Sequence, residues 1–209
     1  MSQAALSSYS DPSEHVYWLA SRGLGVGALV LVSLSVGVGL ALSVRISRAP
    51  GIAATLKRQH EALALAGLVM IAAHGLTLLG DPFLRPGLAG IALPFAMASQ
   101  PVWTGVGIIG GWLAAIIGLS FYVRRWIGNR TWRRLHRWTF AVYVMSIAHT
   151  LGSGSDARST WLLYIVLVTL APVALLTLYR VLPPKRRAKP RQRERPARAA
   201  RGLSPEVSP

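Results

Sequence analysis

Apolar residues are grouped along the chain into five stretches, separated by short polar or basic connections. A helix needs about 20 predominantly apolar residues to cross the hydrocarbon of a bilayer. Each stretch meets this requirement, which predicts transmembrane helices over residues 16–44, 56–79, 103–123, 132–151 and 161–182. The predicted fold is therefore all-α, a polytopic membrane helix bundle of five transmembrane helices.

The composition agrees with this pattern. Of the 209 residues 52% are hydrophobic and only 14% are charged, and the mean hydropathy is +0.42. The chain has no cysteine, which excludes disulfides, thiolate metal sites and iron–sulfur clusters. The first fifteen residues lack the basic region of a cleavable signal peptide, so residues 1–15 are interpreted as a polar N-terminal segment.

The net charge of +16 indicates topology rather than nucleic-acid binding. Lys and Arg are concentrated in the first and third connections and in the C-terminal tail, and no basic folded face remains for a nucleic acid. Because basic loops stay on the cytoplasmic side, we place the N-terminus outside and the C-terminus in the cytoplasm. The expected location is the plasma membrane, in a multi-pass arrangement.

The tail over residues 183–209 is rich in Pro, Lys and Arg and has no apolar periodicity, so it is predicted to be disordered. Its expected partner is the lipid bilayer, through anionic headgroups. Docking of another protein is the alternative. The transmembrane domain is accordingly assigned to residues 16–182.

Two of the predicted helices carry paired histidines. His60 and His74 bracket HEALALAGLVMIAAH in the second helix, and His136 and His149 bracket HRWTFAVYVMSIAH in the fourth. Since one helix lies between them, these two helices run in the same direction. His60 and His136 are then expected near the cytoplasmic side, and His74 and His149 near the outer side. Ionisable residues inside a membrane are functional candidates by default.

Zinc binding, proton transfer and haem binding are the candidate roles of these four histidines. Zinc requires four ligands, and Glu61 is the only carboxylate nearby. A proton relay would need acidic residues between the histidines, where the chain has Ala, Leu, Val, Ile and Met. Haem iron accepts two axial histidines, so one histidine from each helix could bind a flat macrocycle. The alternative is a set of neutral histidines that only pack the bundle.

The helical phase favours this interpretation for one helix more than for the other. Fourteen residues advance about 1400°, so His60 and His74 share a face. Thirteen residues advance about 1300°, which leaves His149 off the stripe of His136. A choice of rotamer, a local π-bulge or lateral displacement of the haems would each accommodate the difference.

Arg22 lies about one turn inside the outer end of the first helix. Haem propionates are anionic, so Arg22 is a candidate partner for an outer haem. An arginine that only extends its charge to the interface is the alternative. His15, in the polar N-terminal segment, is not expected to take part.

The histidine spacing, together with the motif IGNRTWRRLHR, resembles the ferric reductase-like transmembrane superfamily over roughly residues 16–182. That group includes ferric reductases, NADPH oxidases and the haem-bearing membrane subunit of the bacterial methionine-sulfoxide reductase system. The resemblance implies two b-type haems, one bound by His60 and His136 and the other by His74 and His149. It also implies electron transfer from a cytoplasmic donor to an outer-side acceptor.

The chain departs from the larger members of that superfamily in two ways. They have six helices where five are predicted here, and they continue into a flavin- and nicotinamide-binding domain where this chain has its basic tail. The expected donor is therefore a separate reductase, a bound flavin or a membrane quinol, and the expected acceptor a ferric chelate or an outer-side protein. The sulfoxide-reductase subunit can lack the inner histidine on its second helix, whereas this chain has His60.

Two alternatives to a ferric reductase-like carrier remain. The first is a membrane haem subunit, an oxidoreductase component that passes quinol- or flavin-derived electrons to a separate periplasmic or extracellular reductase. The second is a non-redox transporter or structural membrane bundle.

Overall fold

The computed structural model describes residues 16–46, 49, 51–153 and 156–182, and within these ranges the chain forms helices and no β-strand. The helices are α1 (Val16–Ser43), α2 (Ile52–Thr77), α3 (Gly87–Ala92), α4 (Pro101–Ile127), α5 (Asn129–His136), α6 (Thr139–Ser153) and α7 (Thr160–Val181), with a 3-10 turn at Leu78–Gly80. The predicted segments 1–15 and 183–209 lie outside the described residues.

Four of these helices are long and apolar enough to span a membrane. They are α1, α2 with its 3-10 turn, α4 and α7, with mean hydropathy between 2.0 and 2.3. Their outward surfaces are apolar: Val69 of α2 and Leu175 of α7 are each 67% exposed. Side chains of this kind face lipid in a membrane bundle. The prediction of an all-helical membrane bundle is therefore confirmed for these four helices.

The fourth predicted span, residues 132–151, is not one continuous helix. It is divided into α5 and α6 by a turn at Arg137 and Trp138, where the backbone N–H of Trp138 donates to the carbonyl of Leu135 at 2.9 Å. The hydroxyl of Thr139 donates to the carbonyl of His136 at 2.7 Å, which satisfies a group that the break releases. With 15 residues, α6 is only about 22 Å long. The prediction of one continuous helix over residues 132–151 was wrong, because the average hydrophobicity of the span did not reveal the effect of the four arginines in and next to α5.

Proline and glycine set several of the helix ends. Pro101 begins α4, where its missing N–H has no intrahelical partner to lose. Gly128 follows α4 with φ of 82°, a conformation that few other residues adopt, and so turns the chain into α5. Gly51 precedes α2 with φ of 81°.

The helices pack mainly in pairs, with further contacts between α1 and α6 and between α2 and α4. Helix α1 packs along α2 and also contacts α7, while α4 packs along α6. Glycines allow close approach: a Cβ on Gly67 of α2 would lie 3.3 Å from Val32 of α1. The buried apolar side chains of α1, α4, α6 and α7 are Ala28, Leu29, Ile117, Val142, Tyr143, Leu162, Val166 and Val173.

The connection between α2 and α4 folds back onto the helix ends. The buried Asp81 carboxylate accepts hydrogen bonds from the N–H groups of Phe83 at 2.8 Å and Leu84 at 2.9 Å. The indole of Trp112 donates to the carbonyl of Ala92 at 2.9 Å, which ties this connection to α4.

Candidate functional site

The four predicted histidines meet as two pairs, each with one ring from α2 and one from the α5–α6 segment. The ring centroids of His60 and His136 are 5.9 Å apart, and their planes are inclined at 86°. Those of His74 and His149 are 6.2 Å apart, with an angle of 74°. These contacts require α2 and α6 to run in the same direction, as the sequence pattern predicted.

The break between α5 and α6 bears on the thirteen-residue spacing. His136 is the last residue of α5 and His149 lies in α6, so a single helical phase does not apply to the two. The bonds at the break join residues three apart, including that from Arg137 N–H to the Arg134 carbonyl at 3.3 Å. Such bonds overwind a helix, whereas a π-bulge would underwind it. Overwinding rotates His149 toward the stripe of His136.

The pair formed by His74 and His149 is held by backbone carbonyls. The Nδ1–H of His74 donates to the carbonyl of Ser21 at 2.7 Å, and the Ser21 hydroxyl donates to the carbonyl of His74 at 3.0 Å. The Nδ1–H of His149 donates to the carbonyl of Trp103 at 2.9 Å. In this tautomer, assigned from the bonds, Nε2 carries the free lone pair of each ring.

The pair formed by His60 and His136 is held differently on its two sides. His60 repeats the arrangement of His74, since its Nδ1–H donates to the carbonyl of Ser35 at 2.9 Å and the Ser35 hydroxyl donates back at 3.2 Å. His136 instead stacks on Trp132, with centroids 5.1 Å apart and planes inclined at 24°. The indole nitrogen of Trp132 is buried and has no hydrogen-bond partner among the described residues.

Glycines on neighbouring helices leave room for three of the rings. A Cβ on Gly25 would lie 3.1 Å from His74, and one on Gly39 would lie 3.1 Å from His60. A Cβ on Gly107 of α4 would overlap the ring of His149. Side chains at these positions would displace the imidazoles.

The residues on α1 that hold His60 and His74 form a repeat. Ser21 and Gly25 serve His74, and Ser35 and Gly39 serve His60. Both serines and both glycines are fourteen residues apart, the same spacing as the two histidines. The role of the two serines was not predicted from the sequence, although a Ser-x-x-x-Gly pattern with the histidine spacing is visible in the first helix.

Arg22 follows Ser21, whose carbonyl holds His74, and its side chain already has partners within the protein. Its guanidinium forms an ion pair with Asp156. It also lies 5.0 Å from the ring centroid of Trp18 and 5.1 Å from that of Trp161. The sequence suggested either a cofactor contact or an interfacial arginine, and it gave no indication of Asp156 as a counter-ion.

Each pair brings two imidazole rings together. Among the described residues, no group of three or more His, Cys, Asp or Glu side chains gathers at one point, as a metal site built only from protein would require. Two imidazoles that bind one metal from opposite sides, each at a nitrogen–metal distance of about 2.1 Å, have centroids roughly 6.5 Å apart. The observed separations of 5.9 and 6.2 Å are close to this value. The arrangement suits a metal that brings its own remaining ligands.

Carbonyl bonds of the kind made by His60, His74 and His149 usually accompany metal-ligating histidines. They fix the tautomer, orient the ring and raise the basicity of the ligating nitrogen. The glycine positions keep space next to the same rings. The chemistry of the donor set therefore fits axial ligation, with α1 and α4 supporting the ligands.

Comparison with known proteins found no match for this chain. No family model matches the chain, no curated protein matches it, and no solved structure matches it. The properties of the site consequently follow from the geometry of its own residues.

Proposed function

We propose that this protein carries electrons across a membrane through two b-type haems. His60 and His136 would bind one haem, and His74 and His149 the other. The observation that carries the proposal is the pairing of all four histidines at two levels between co-directional helices, at separations that suit a shared metal. This role is the one expected of a ferric reductase-like protein.

The ligand set favours electron transfer over gas binding. A haem held by these histidines on both faces would have no open position for oxygen, and its iron would supply a reversible one-electron couple. The protein supplies position and insulation. Ser21, Ser35 and Trp103 orient the rings through their carbonyls, and the apolar spans exclude water.

The two levels are arranged as a path through the bilayer. His60 and His74 are separated by fourteen residues of one helix, about 21 Å along its axis. This is a large part of a hydrocarbon layer about 30 Å thick. If the histidines only packed the bundle, two pairs at matched depth would not be expected. The repeat of supporting serines and glycines on α1 would not be expected either.

Charge distribution supports the proposed direction. At the end with His60 and His136, the described residues include ten basic side chains and only one acid, Glu61; the basic residues are Arg45, Lys57, Arg58, Arg124, Arg125, Arg130, Arg133, Arg134, Arg137 and Arg180. The other end has Arg22, Arg85 and Arg158 with Asp81 and Asp156. Under the positive-inside rule the first end is cytoplasmic. Electrons would enter there from a reductase, flavin or quinol and leave toward an outer-side acceptor at the plasma membrane.

The direct test is the optical spectrum of the purified full-length protein. We expect b-type bands in the dithionite-reduced minus oxidised spectrum, with about two haems per chain. His15→Ala is the matched control, because this histidine belongs to neither pair and its loss should leave the spectrum unchanged. A folded, colourless preparation from haem-replete cells would refute the proposal and favour a non-redox bundle.

A further inference from the structure

Helix α5 is amphipathic, and its two faces have different surroundings. Trp132 and Leu135 are half-buried, and the Trp132 ring packs edge-on against Phe121 of α4 with centroids 5.9 Å apart. Arg130, Arg133 and Arg134 are exposed. The helix therefore lies with its apolar side on the bundle and its arginines outward.

These outward arginines have no acidic partner within the described part of the chain. The ion pair found there joins Arg22 to Asp156 at the opposite end of the bundle. Glu61, the one described acid at this end, accepts a hydrogen bond from the Tyr122 hydroxyl at 3.0 Å. The surface of α5 thus presents uncompensated positive charge.

Exposed tryptophans next to α5 indicate that its surface lies at the boundary between hydrocarbon and headgroups. Trp126 precedes α5 and is 70% exposed, and Trp138 follows it and is 65% exposed. Exposed tryptophans are concentrated where hydrocarbon meets headgroups. A short basic helix with an apolar underside and flanking indoles is typical of a helix that lies in the membrane surface.

We infer that α5 binds anionic phospholipid headgroups through Arg130, Arg133 and Arg134, and that this contact fixes the position of His136. Charge complementarity identifies the class of partner, and the exposed indoles favour lipid over a soluble acidic protein. His136 is the residue that depends on such support. It ends α5 and borders the break, and among the described residues no carbonyl accepts from its ring as carbonyls do from the other three rings.

Lipid binding by α5 can be measured without reference to any cofactor. Because the chain has no cysteine, Asn129→Cys places a single spin label at the first residue of α5 without removing an arginine. The labelled full-length protein is reconstituted in nanodiscs of phosphatidylcholine, with or without phosphatidylglycerol. We expect phosphatidylglycerol to immobilise the label and to reduce its accessibility to a water-soluble relaxation agent, and high salt to weaken both effects.

The control variants separate α5 from the rest of the protein. Arg130→Gln/Arg133→Gln/Arg134→Gln should abolish the response to phosphatidylglycerol. Arg85→Gln/Arg158→Gln, at the other end of the bundle, should retain it. Both variants keep the basic tail, so its contribution cancels. The inference is overturned if phosphatidylglycerol does not change the mobility of the label, or if the α5 variant responds to this lipid like the parent protein. It is also overturned if soluble polyglutamate immobilises the label and phosphatidylglycerol does not.

The effect on His136 rests on the proposed function and needs a second measurement. In a His149→Ala background, which would retain only the inner haem, carbon monoxide can bind the reduced pigment only if an axial histidine dissociates. We expect the fraction of reduced pigment that binds carbon monoxide to be at least several-fold lower in phosphatidylglycerol than in phosphatidylcholine. In the α5 variant this fraction should not differ between the two lipids. Equal occupancy in both lipids would overturn the link to His136. A colourless protein whose label still responds would refute the haem proposal and leave lipid binding intact.

Discussion

At the scale of single residues, the rings are positioned by small neighbours on α1 as much as by their own helix. Gly25 and Gly39 lie so close to His74 and His60 that a side chain would compete with the imidazole for space. The four histidines could be identified from the sequence because charge-bearing residues are rare in apolar helices. The glycine contacts could not, because helix rotation and distance decide which of many glycines faces a ring.

Replacement of these glycines should remove one haem at a time. We expect Gly39→Val to displace His60 and Gly25→Val to displace His74, since overpacking costs about 1–3 kcal/mol. Each variant should fall from two haems per chain to about one, measured as the pyridine haemochrome after purification.

Two neighbouring glycines on α1 provide matched controls. Apart from the backbone of α1 itself, no atom of the described residues lies within 4 Å of a Cβ added to Gly23 or Gly37. Gly23→Val and Gly37→Val introduce the same side chain into the same helix and should keep both haems. If all four variants lose haem equally, the close contacts to His60 and His74 are not what positions the rings.

At the scale of elements, the break between α5 and α6 determines where His136 lies. The ends of the four long helices were predicted to within about four residues for α1, α4, α7 and α2 with its 3-10 turn. The break was missed because Trp138, Phe140 and Val142 make the hydrophobic average continuous. In the sequence, the break was visible only in the spacing of His136 and His149, which does not place the two on one face of a continuous helix. The sequence alone could not locate the turn at which the winding changes.

A single inserted residue tests the break. One alanine placed between Arg137 and Trp138 rotates α5 by about 100° relative to α6, so His136 should no longer face His60. We expect loss of the inner haem with retention of the outer one, visible as half the pigment and one remaining redox midpoint. An alanine inserted after Leu93, in the connection between α2 and α4, should leave both haems. Retention of both midpoints after the first insertion would show that His136 does not depend on the rotation of α5.

At the scale of the whole molecule, the Arg22–Asp156 ion pair joins the start of α1 to the segment that links α6 and α7. Both side chains are partly shielded, with exposed fractions of 29% and 23%. An ion pair of this kind lies between the weak surface pairs and the strong buried ones. The ion pair therefore connects α1, which supports His74, to the segment that follows α6. Helix α6 carries His149.

Asp156→Asn should remove the Arg22–Asp156 ion pair and so weaken the contact between α1 and this segment. We expect a loss of about 1–2 kcal/mol, which corresponds to a fall of roughly 2–8 °C in the unfolding midpoint of a chain of this size. The measurement is thermal unfolding in detergent at low and high salt, with the difference shrinking as salt screens the pair. Arg158→Gln, an exposed charge in the same segment, is the control and should have little effect. An unchanged midpoint for Asp156→Asn would show that the pair does not hold the bundle together.

The most direct test of the central claim is haem content in double histidine variants. If His60 and His136 bind one haem and His74 and His149 the other, a same-pair variant such as His60→Ala/His136→Ala should retain about one haem per chain. A cross-pair variant such as His60→Ala/His149→Ala should retain none. Equal haem content in the two double variants, or haem undiminished by either, would contradict the account.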